Sequence, residues 1–319
     1  AGACGARGLR PAGLARPRGV TPMRANTRFT AIRFRLEALE FRSPWAAGLY
    51  EFLLFGFKQG WACLFGGLLL GLIILTRLFY PANATLSRYD FLVLAALLIQ
   101  AAMLATRLET WEEARVILVF HVVGTVMEIF KTSVGSWIYP EESLLRVAGV
   151  PLFSGFMYAA VGSYLARVWR IFDFRFTRHP PLWATAVLAL AIYVNFFTHH
   201  YVTDVRWLLI AAAAVLFGRT VVWFTPWREP RPMPLLLGFF LVAVFIWLAE
   251  NIGTFARAWS YPHQSGAWTP VMPEKLVAWF LLMLISYVLV SIVHRPQAFV
   301  PKGQPDTLAS LKKKDARAP

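Results

Sequence analysis

The sequence predicts an all-α, polytopic membrane protein of about eight transmembrane helices, built as two parallel four-helix repeats with both termini cytoplasmic. Three observations predict it. First, 58% of the 319 residues are hydrophobic and only 15% are charged, against roughly 45–50% and about 25% in soluble domains. Mean hydropathy is +0.54. Second, the apolar residues come in eight runs near the roughly 20 residues that a spanning helix needs. Third, a segment carrying glutamate, tryptophan, tyrosine and proline occurs twice, 122 positions apart.

Residues 1–43 form a basic arm. The first 22 are rich in Arg, Gly, Ala and Pro, lack periodicity and read as disordered. Met23 suits an alternative start. No apolar core near the start suits a secretory signal, whereas the Arg-rich, acid-poor composition leaves a transit peptide open. Ser43-Pro44 fits a helix cap with proline at the first helical position. The following WAAGLYEFLLFGFK fits an interfacial segment.

The membrane domain is expected at 44–296. Its spans fall at 59–77, 89–106, 114–134, 147–168, 181–198, 205–224, 233–256 and 274–294, with repeat halves at about 59–170 and 181–294. Pro226, Pro230, Pro232 and Pro234 mark a loop between the sixth and seventh spans, because proline breaks helices and restricts the residue before it. Residues 297–319 read as a basic, disordered tail.

The net charge of +15 is distributed by topology. Ten Lys/Arg lie in residues 1–58 and six in 295–319. Arg167, Arg170, Arg175 and Arg178 follow the fourth span, and Arg219, Arg228 and Arg231 the sixth. With eight spans these segments share one side, which the positive-inside bias makes cytoplasmic. Such a pattern suits anionic headgroups of membrane lipids rather than nucleic acid. The segment RLETWEEAR fits least well, since Glu109, Glu112 and Glu113 outnumber its basic residues; acids count little in the rule. Cys4 and Cys63 suggest neither a disulfide framework nor a metal cluster.

The repeat carries the chemistry. EIFKTSVGSWIYP at 128–140 matches ENIGTFARAWSYP at 250–262. Glu128 pairs with Glu250, Thr132 with Thr254, Trp137 with Trp259, Tyr139 with Tyr261 and Pro140 with Pro262; Pro151 and Pro273 continue the register. An even number of spans per unit gives parallel halves about an axis along the membrane normal. Each Glu falls in the outer part of its span, roughly 13 Å below an interfacial Trp at 1.5 Å per residue. An ionised carboxylate in hydrocarbon is costly, so both should face a bundle interior or cavity. Two readings stand: acids at a central functional cavity, or hydrogen-bonding posts that hold the halves together. Trp137, Tyr139, Trp259 and Tyr261 belong either to an interfacial aromatic belt or to the wall of a pocket beside the acids.

Other polar candidates cluster on the same side. Asn195, His199 and His200 end the fifth span, and Asn251 adjoins Glu250. His121 lies seven residues before Glu128, on a similar helix face. Glutamates and histidines could ligate zinc or iron, yet no HExxH or multi-histidine box occurs, so no metal site is assigned. No Walker loop, dinucleotide fingerprint or Gly-x-Ser-x-Gly elbow occurs, and no cofactor is named by the sequence. FGGLLLG in the first span suits close helix packing.

The stretches RYDFLVLAALLIQ, RLETWEEARVILVFHVVGTVMEIFKTSVGSWIYPEE, GVPLFSGFMYAAVGSY and WLAENIGTF resemble the bacterial integral membrane family called domain of unknown function 817, over roughly residues 50–296. That resemblance implies a multi-spanning fold in a bacterial cytoplasmic membrane and no particular activity. Glu128, the Trp-x-Tyr-Pro turn and Gly149-Val150-Pro151 are similar, more faintly, to features of membrane carotenoid cyclases and hydratases. Three functions follow as expectations. One is an enzyme on a lipid or isoprenoid with an intramembrane Glu as general acid. Another is a proton-coupled transporter or channel for a small molecule or ion using the same acids. The third is a scaffold or sensor. The sequence leaves the oligomeric state open.

Overall fold

The computed structural model describes residues 39–41, 43–264 and 266–300. Most of the expected arm and residues 301–319 of the expected tail lie outside the described residues. Helix α1 (Pro44–Ala62) starts as its sequence suggests, with Pro44 following Ser43. It meets α2 (Leu64–Phe79) at Cys63 with a bend of 68°. The helix within the first expected span therefore begins at Leu64 rather than 59, and the segment before it is a helix continuous to Ala62.

Ser87 caps α3 (Arg88–Ala105) by accepting from the Asp90 amide. Thr110 and Glu113 form a reciprocal capping box on α4 (Trp111–Ser133). A hairpin of β1 (Arg146–Val147) and β2 (Val150–Pro151) follows. Its central residues, Ala148 and Gly149, have φ of 49° and 82°, the pair of positive φ values of the hairpin turn that matches strand twist. Then come α5 (Phe153–Ile171), β3 (Arg175–Thr177), α6 (Leu182–Thr198) and α7 (Arg206–Phe217). Strands β4 (Val221–Phe224) and β5 (Arg231–Pro234) precede α8 (Leu235–Phe255) and α9 (Lys275–His294).

Two expectations change here. The sixth span, expected over 205–224, is a helix of 12 residues, about 18 Å long, after which the chain turns into strand. The proline cluster is not a plain loop: β3, β4 and β5 form one antiparallel sheet in that order. Pro232 and Pro234 sit in β5, an edge strand, where a missing N–H is tolerated. Among the described residues, α3, α4, α8 and α9 are long and apolar enough to cross a membrane; the bent α1–α2 pair makes up to five crossings, and α6 and α7 are shorter apolar helices.

Helices α5 and α9 touch each other at the centre; α2, α3 and α4 pack on α5, while α6, α7 and α8 pack on α9. Glycines set the α4–α5 approach: a Cβ on Gly124 would meet the Tyr158 ring at 2.6 Å, and one on Gly162 the Phe120 ring at 2.7 Å. Small residues let helix backbones approach in this way. At one end of the bundle, Ile138 and Ser260 exchange both backbone hydrogen bonds, at 2.9 and 3.0 Å. At the other, Phe176 and Ala298 form a parallel bridge. Both pairs are 122 positions apart. So are Gly135 and Arg257, which end α4 and α8 with positive φ and the same pair of returning amide bonds.

Buried charges tie the ends together. Arg88 donates to Glu141 (2.9 Å) and to the Ala256 and Arg257 carbonyls (3.1 and 2.9 Å), and Tyr89 donates to the Ala258 carbonyl at 3.0 Å. Replacing Arg88 with Met strands two carbonyls and a carboxylate. Stability in detergent is expected to fall by about 3 kcal/mol, read from the unfolding midpoint; an unchanged midpoint would show that these bonds add nothing net. At the opposite end Glu109 faces Arg167 at 3.7 Å and Glu113 faces Arg170 at 3.0 Å. The acidic RLETWEEAR segment thus neutralises two of the arginines that follow the fourth expected span.

Candidate functional site

The α5 face that looks inward repeats at helical spacing: Met157, Tyr158, Val161, Tyr164, Val168 and Phe172 line one cavity of about 1040 Å³. From Tyr158 to Phe172 the helix rises about 21 Å, so the cavity is long. Helices α1, α2, α8 and α9 supply most of the other walls, with residues of α4, α6, β4 and β5 completing a mostly apolar lining. Phe52, Leu241 and Phe245 line it and are also exposed on the helix exteriors, so its mouth is apolar.

Both repeated acids stand at one end of this cavity. Glu128 is buried, with three donors: Trp137 Nε1–H at 2.7 Å, the Tyr158 hydroxyl at 2.7 Å and the Tyr139 hydroxyl. Glu250 is likewise buried and accepts from the Tyr261 hydroxyl and from Trp279 Nε1–H at 2.6 Å. Among the described residues, neither carboxylate has a cation within ion-pair distance. The local geometry explains the spacing. The turn after each helix carries Trp-x-Tyr back over the last turns, and the next helix brings a second aromatic donor 29 or 30 positions on. Trp137 and Tyr261 meet edge to face at 6.0 Å, so the two turns interlock.

Of the residues chosen from sequence, Glu128, Glu250, Trp137, Tyr139, Trp259, Tyr261, Asn195 and His199 line the cavity. Trp259 takes a different role from Trp137: its ring fills the space where Gly253 lacks a side chain. The belt residues Trp137 and Tyr261 are buried rather than set at an outer surface. Three candidates stand apart from the cavity lining. His121 packs on Phe156 with ring centroids 4.4 Å apart. Asn251 accepts from the Val271 amide at 2.9 Å and donates to the Trp247 carbonyl at 2.8 Å, so it fixes a loop. His200 meets Lys131 at 2.8 Å.

Sequence reasoning missed Tyr158, Trp279, Lys131, Lys275 and Arg206. Tyr158 and Trp279 differ in residue type and are offset by 121 rather than 122, which hid them from the repeat. Lys131 was legible, since three residues after Glu128 puts it on the same helix face. It is buried, lines the cavity and stands 4.2 Å from the Phe196 ring centroid. His199 donates through Nδ1 to the Asn195 carbonyl at 2.9 Å, which leaves Nε2 as an acceptor for Lys131 at 3.4 Å. Burial, with Lys131 adding to it, pushes the imidazoles of His199 and His200 below their usual range. Burial would raise Asp204, but hydrogen bonds from Asn195 and Arg206 outweigh it and hold this carboxyl low. Among the described residues no three His, Cys, Asp or Glu side chains converge as a metal site.

The arrangement holds two acids, each wrapped in neutral donors, at the head of a long apolar channel. Tyrosine hydroxyls can accept as well as donate, so each Glu–Tyr pair can gain or release a proton.

Comparison with known proteins gives relatives. The uncharacterized protein YoaT of Bacillus subtilis (strain 168) is 41% identical over 237 residues, 74% of this chain and 89% of that protein. Among solved structures, a cross-linked trimer of MvINS aligns with a TM-score of 0.43 and 16% identity, over 59% of this chain and 98% of that one, too distant to carry an argument. The profile of the family described as "Protein of unknown function (DUF817)" matches residues 51–287, which take in both acids and all but the ends of the cavity-forming bundle. The chain therefore belongs to the DUF817 family.

Proposed function

We propose that this chain is a multi-pass enzyme of the bacterial cytoplasmic membrane that acts on a lipid or isoprenoid, with Glu128 or Glu250 as general acid. One observation carries the reading: the two carboxyl groups, held by neutral donors without a cation in ion-pair range, stand at one end of a long apolar cavity. A protonated carboxyl so placed can give its proton to a substrate double bond. The ring of Tyr139, and the faces of Trp137, Trp259 and Tyr261 that Lys275 leaves open, would stabilise the cation that results.

The architecture proposed is a duplicated unit, with α2–α5 and α6–α9 as parallel halves and both termini cytoplasmic. The matched helix contacts and the paired positions 122 residues apart support it. Short α7 crosses where the bilayer thins or the helix is helped by its neighbours. The end bearing Arg175, Arg178, Arg219 and Arg231 is then cytoplasmic, and the acids lie toward the outer face. A second reading, proton-coupled transport through the same acids, draws support from the Lys131–His199–His200 contacts near them.

Membrane lipid extracts from cells with and without the protein test the enzyme. At least one lipid or pigment is expected to change in abundance. Wild-type protein restores it, and neither Glu128→Gln nor Glu250→Gln does so fully. Identical extracts in the native host sink the enzyme reading and leave transport.

A further inference from the structure

The polar end of the cavity has its acceptors occupied and its donors free. Each oxygen of Glu128 and Glu250 already takes at least one Tyr or Trp hydrogen. Asn195 spends its oxygen on the Val205 amide and its nitrogen on Asp204. His199 Nε2 faces Lys131. The cations differ. Lys275 lines the cavity with its ammonium 4.5 Å from the Tyr261 ring centroid and 5.4 Å from that of Trp137. Among the described residues it has neither a hydrogen-bond acceptor nor an ion-paired carboxylate, so no protein group holds its three N–H hydrogens. Lys131 donates to two imidazoles and keeps a third N–H. Arg206 also lines the cavity; it gives its backbone N–H and Nε–H to Asp204, which leaves its terminal nitrogens.

We infer that the cavity binds an amphiphile with an anionic, oxygen-rich head group, such as a phosphate ester. Its head is held by Lys275, Lys131 and Arg206, and its chain runs down the apolar channel toward Phe172. The inference rests on the reading of Glu128 and Glu250 as protonated acids. In that state Lys275, Lys131 and Arg206 share this end of the cavity with two carboxylates, Asp204 and Glu274, and a surplus positive charge remains. An ammonium on ring faces is a weak arrangement beside an ammonium on a phosphate. The ring faces keep Lys275 positioned while leaving its hydrogens available. A free phosphate offers the same head but leaves the channel unfilled, so the chain is part of the recognition.

The test uses the full chain in phosphatidylcholine nanodiscs and radiolabelled hexadecyl phosphate, with empty nanodiscs subtracted for partitioning. Saturable binding is expected, with hexadecanol about tenfold weaker as a competitor and inorganic phosphate without effect at equal concentration. Lys275→Met should cost about tenfold in affinity and remove the preference over hexadecanol, while Lys275→Arg retains most of it. Size-exclusion profiles and circular dichroism of both variants establish folding. Hexadecanol competing equally, or full binding by the Met variant, overturns the head-group assignment and leaves the lipid-enzyme reading standing. Inorganic phosphate competing as well as the alkyl phosphate overturns the amphiphile. Absence of saturable binding by either alkyl compound overturns the inference and the lipid cavity together.

Discussion

Glu128→Leu is expected to lower the stability of the protein in detergent by about 3–6 kcal/mol. The side chain is buried, and its removal strands three donors at once: the indole N–H of Trp137 and the hydroxyls of Tyr139 and Tyr158. A buried donor left without a partner costs roughly 1–3 kcal/mol, and about 1–2 applies here because tyrosine hydroxyls can turn toward other acceptors. The tryptophan cannot compensate, because it only donates. Glu250→Leu strands two donors, Tyr261 and Trp279, and its loss should be smaller, about 2–4 kcal/mol. The order of the two variants is the informative quantity, read from equilibrium unfolding in mixed micelles. A loss under about 1 kcal/mol for Glu128→Leu would show that the aromatic donors find other acceptors when the carboxylate goes. The same geometry makes glutamine the better probe of chemistry, since it keeps one acceptor oxygen and most of the shape.

Gly124→Ala should also be damaging, by a different route. Its Cβ would fall 2.6 Å from the Tyr158 ring, and the contact is with the ring root rather than a flexible end. Overpacking of this kind costs about 1–3 kcal/mol. It also moves the tyrosine that holds Glu128 Oε1, so packing and polar site should fail together. Combined with Tyr158→Phe, the two changes should be non-additive by about 1 kcal/mol or more. Strict additivity would mean that α4 and α5 shift as bodies and leave the hydrogen bond intact. Gly48→Ala is the control, because nothing lies within 4 Å of a Cβ there; its effect should stay within about 0.5 kcal/mol.

Much of the bundle was legible because helix formation in apolar runs is a local property. Each of the eight expected apolar stretches begins or ends within a few residues of a helix, though the sixth overruns its helix by seven residues. The sixth failed because Val221–Phe224, a β-branched and aromatic stretch, is as apolar as a helix end yet pairs with β3 and β5. Hydropathy alone cannot separate the two states. The break at Cys63 was also hidden, since FGFKQGWACLFGG contains no proline. In the site, the repeat exposed both acids and the aromatic partners supplied by the following turn, Trp137 and Tyr139 for Glu128 and Tyr261 for Glu250. The remaining partners, Tyr158 and Trp279, depend on how the next helix packs, which a repeat of identical letters cannot report. His121 and Asn251 shared the right faces and depths, but helix rotation took them into packing and loop contacts instead.

The hydrogen-bond partners of each acid lie close to it in the chain: within 30 positions for Glu128 and within 29 for Glu250. Translation at about 5–20 residues per second delivers such partners within roughly 2–6 s. The contacts across Ile138 and Ser260, and from Arg88 to Ala256, need more than 120 further residues, or roughly 6–30 s. Glu128 can therefore be shielded by its own stretch of chain during synthesis, before the stretch that carries Glu250 exists, and Glu250 is shielded in turn by its own. The order of synthesis thus spares the nascent protein a long exposure of bare carboxylates among apolar helices.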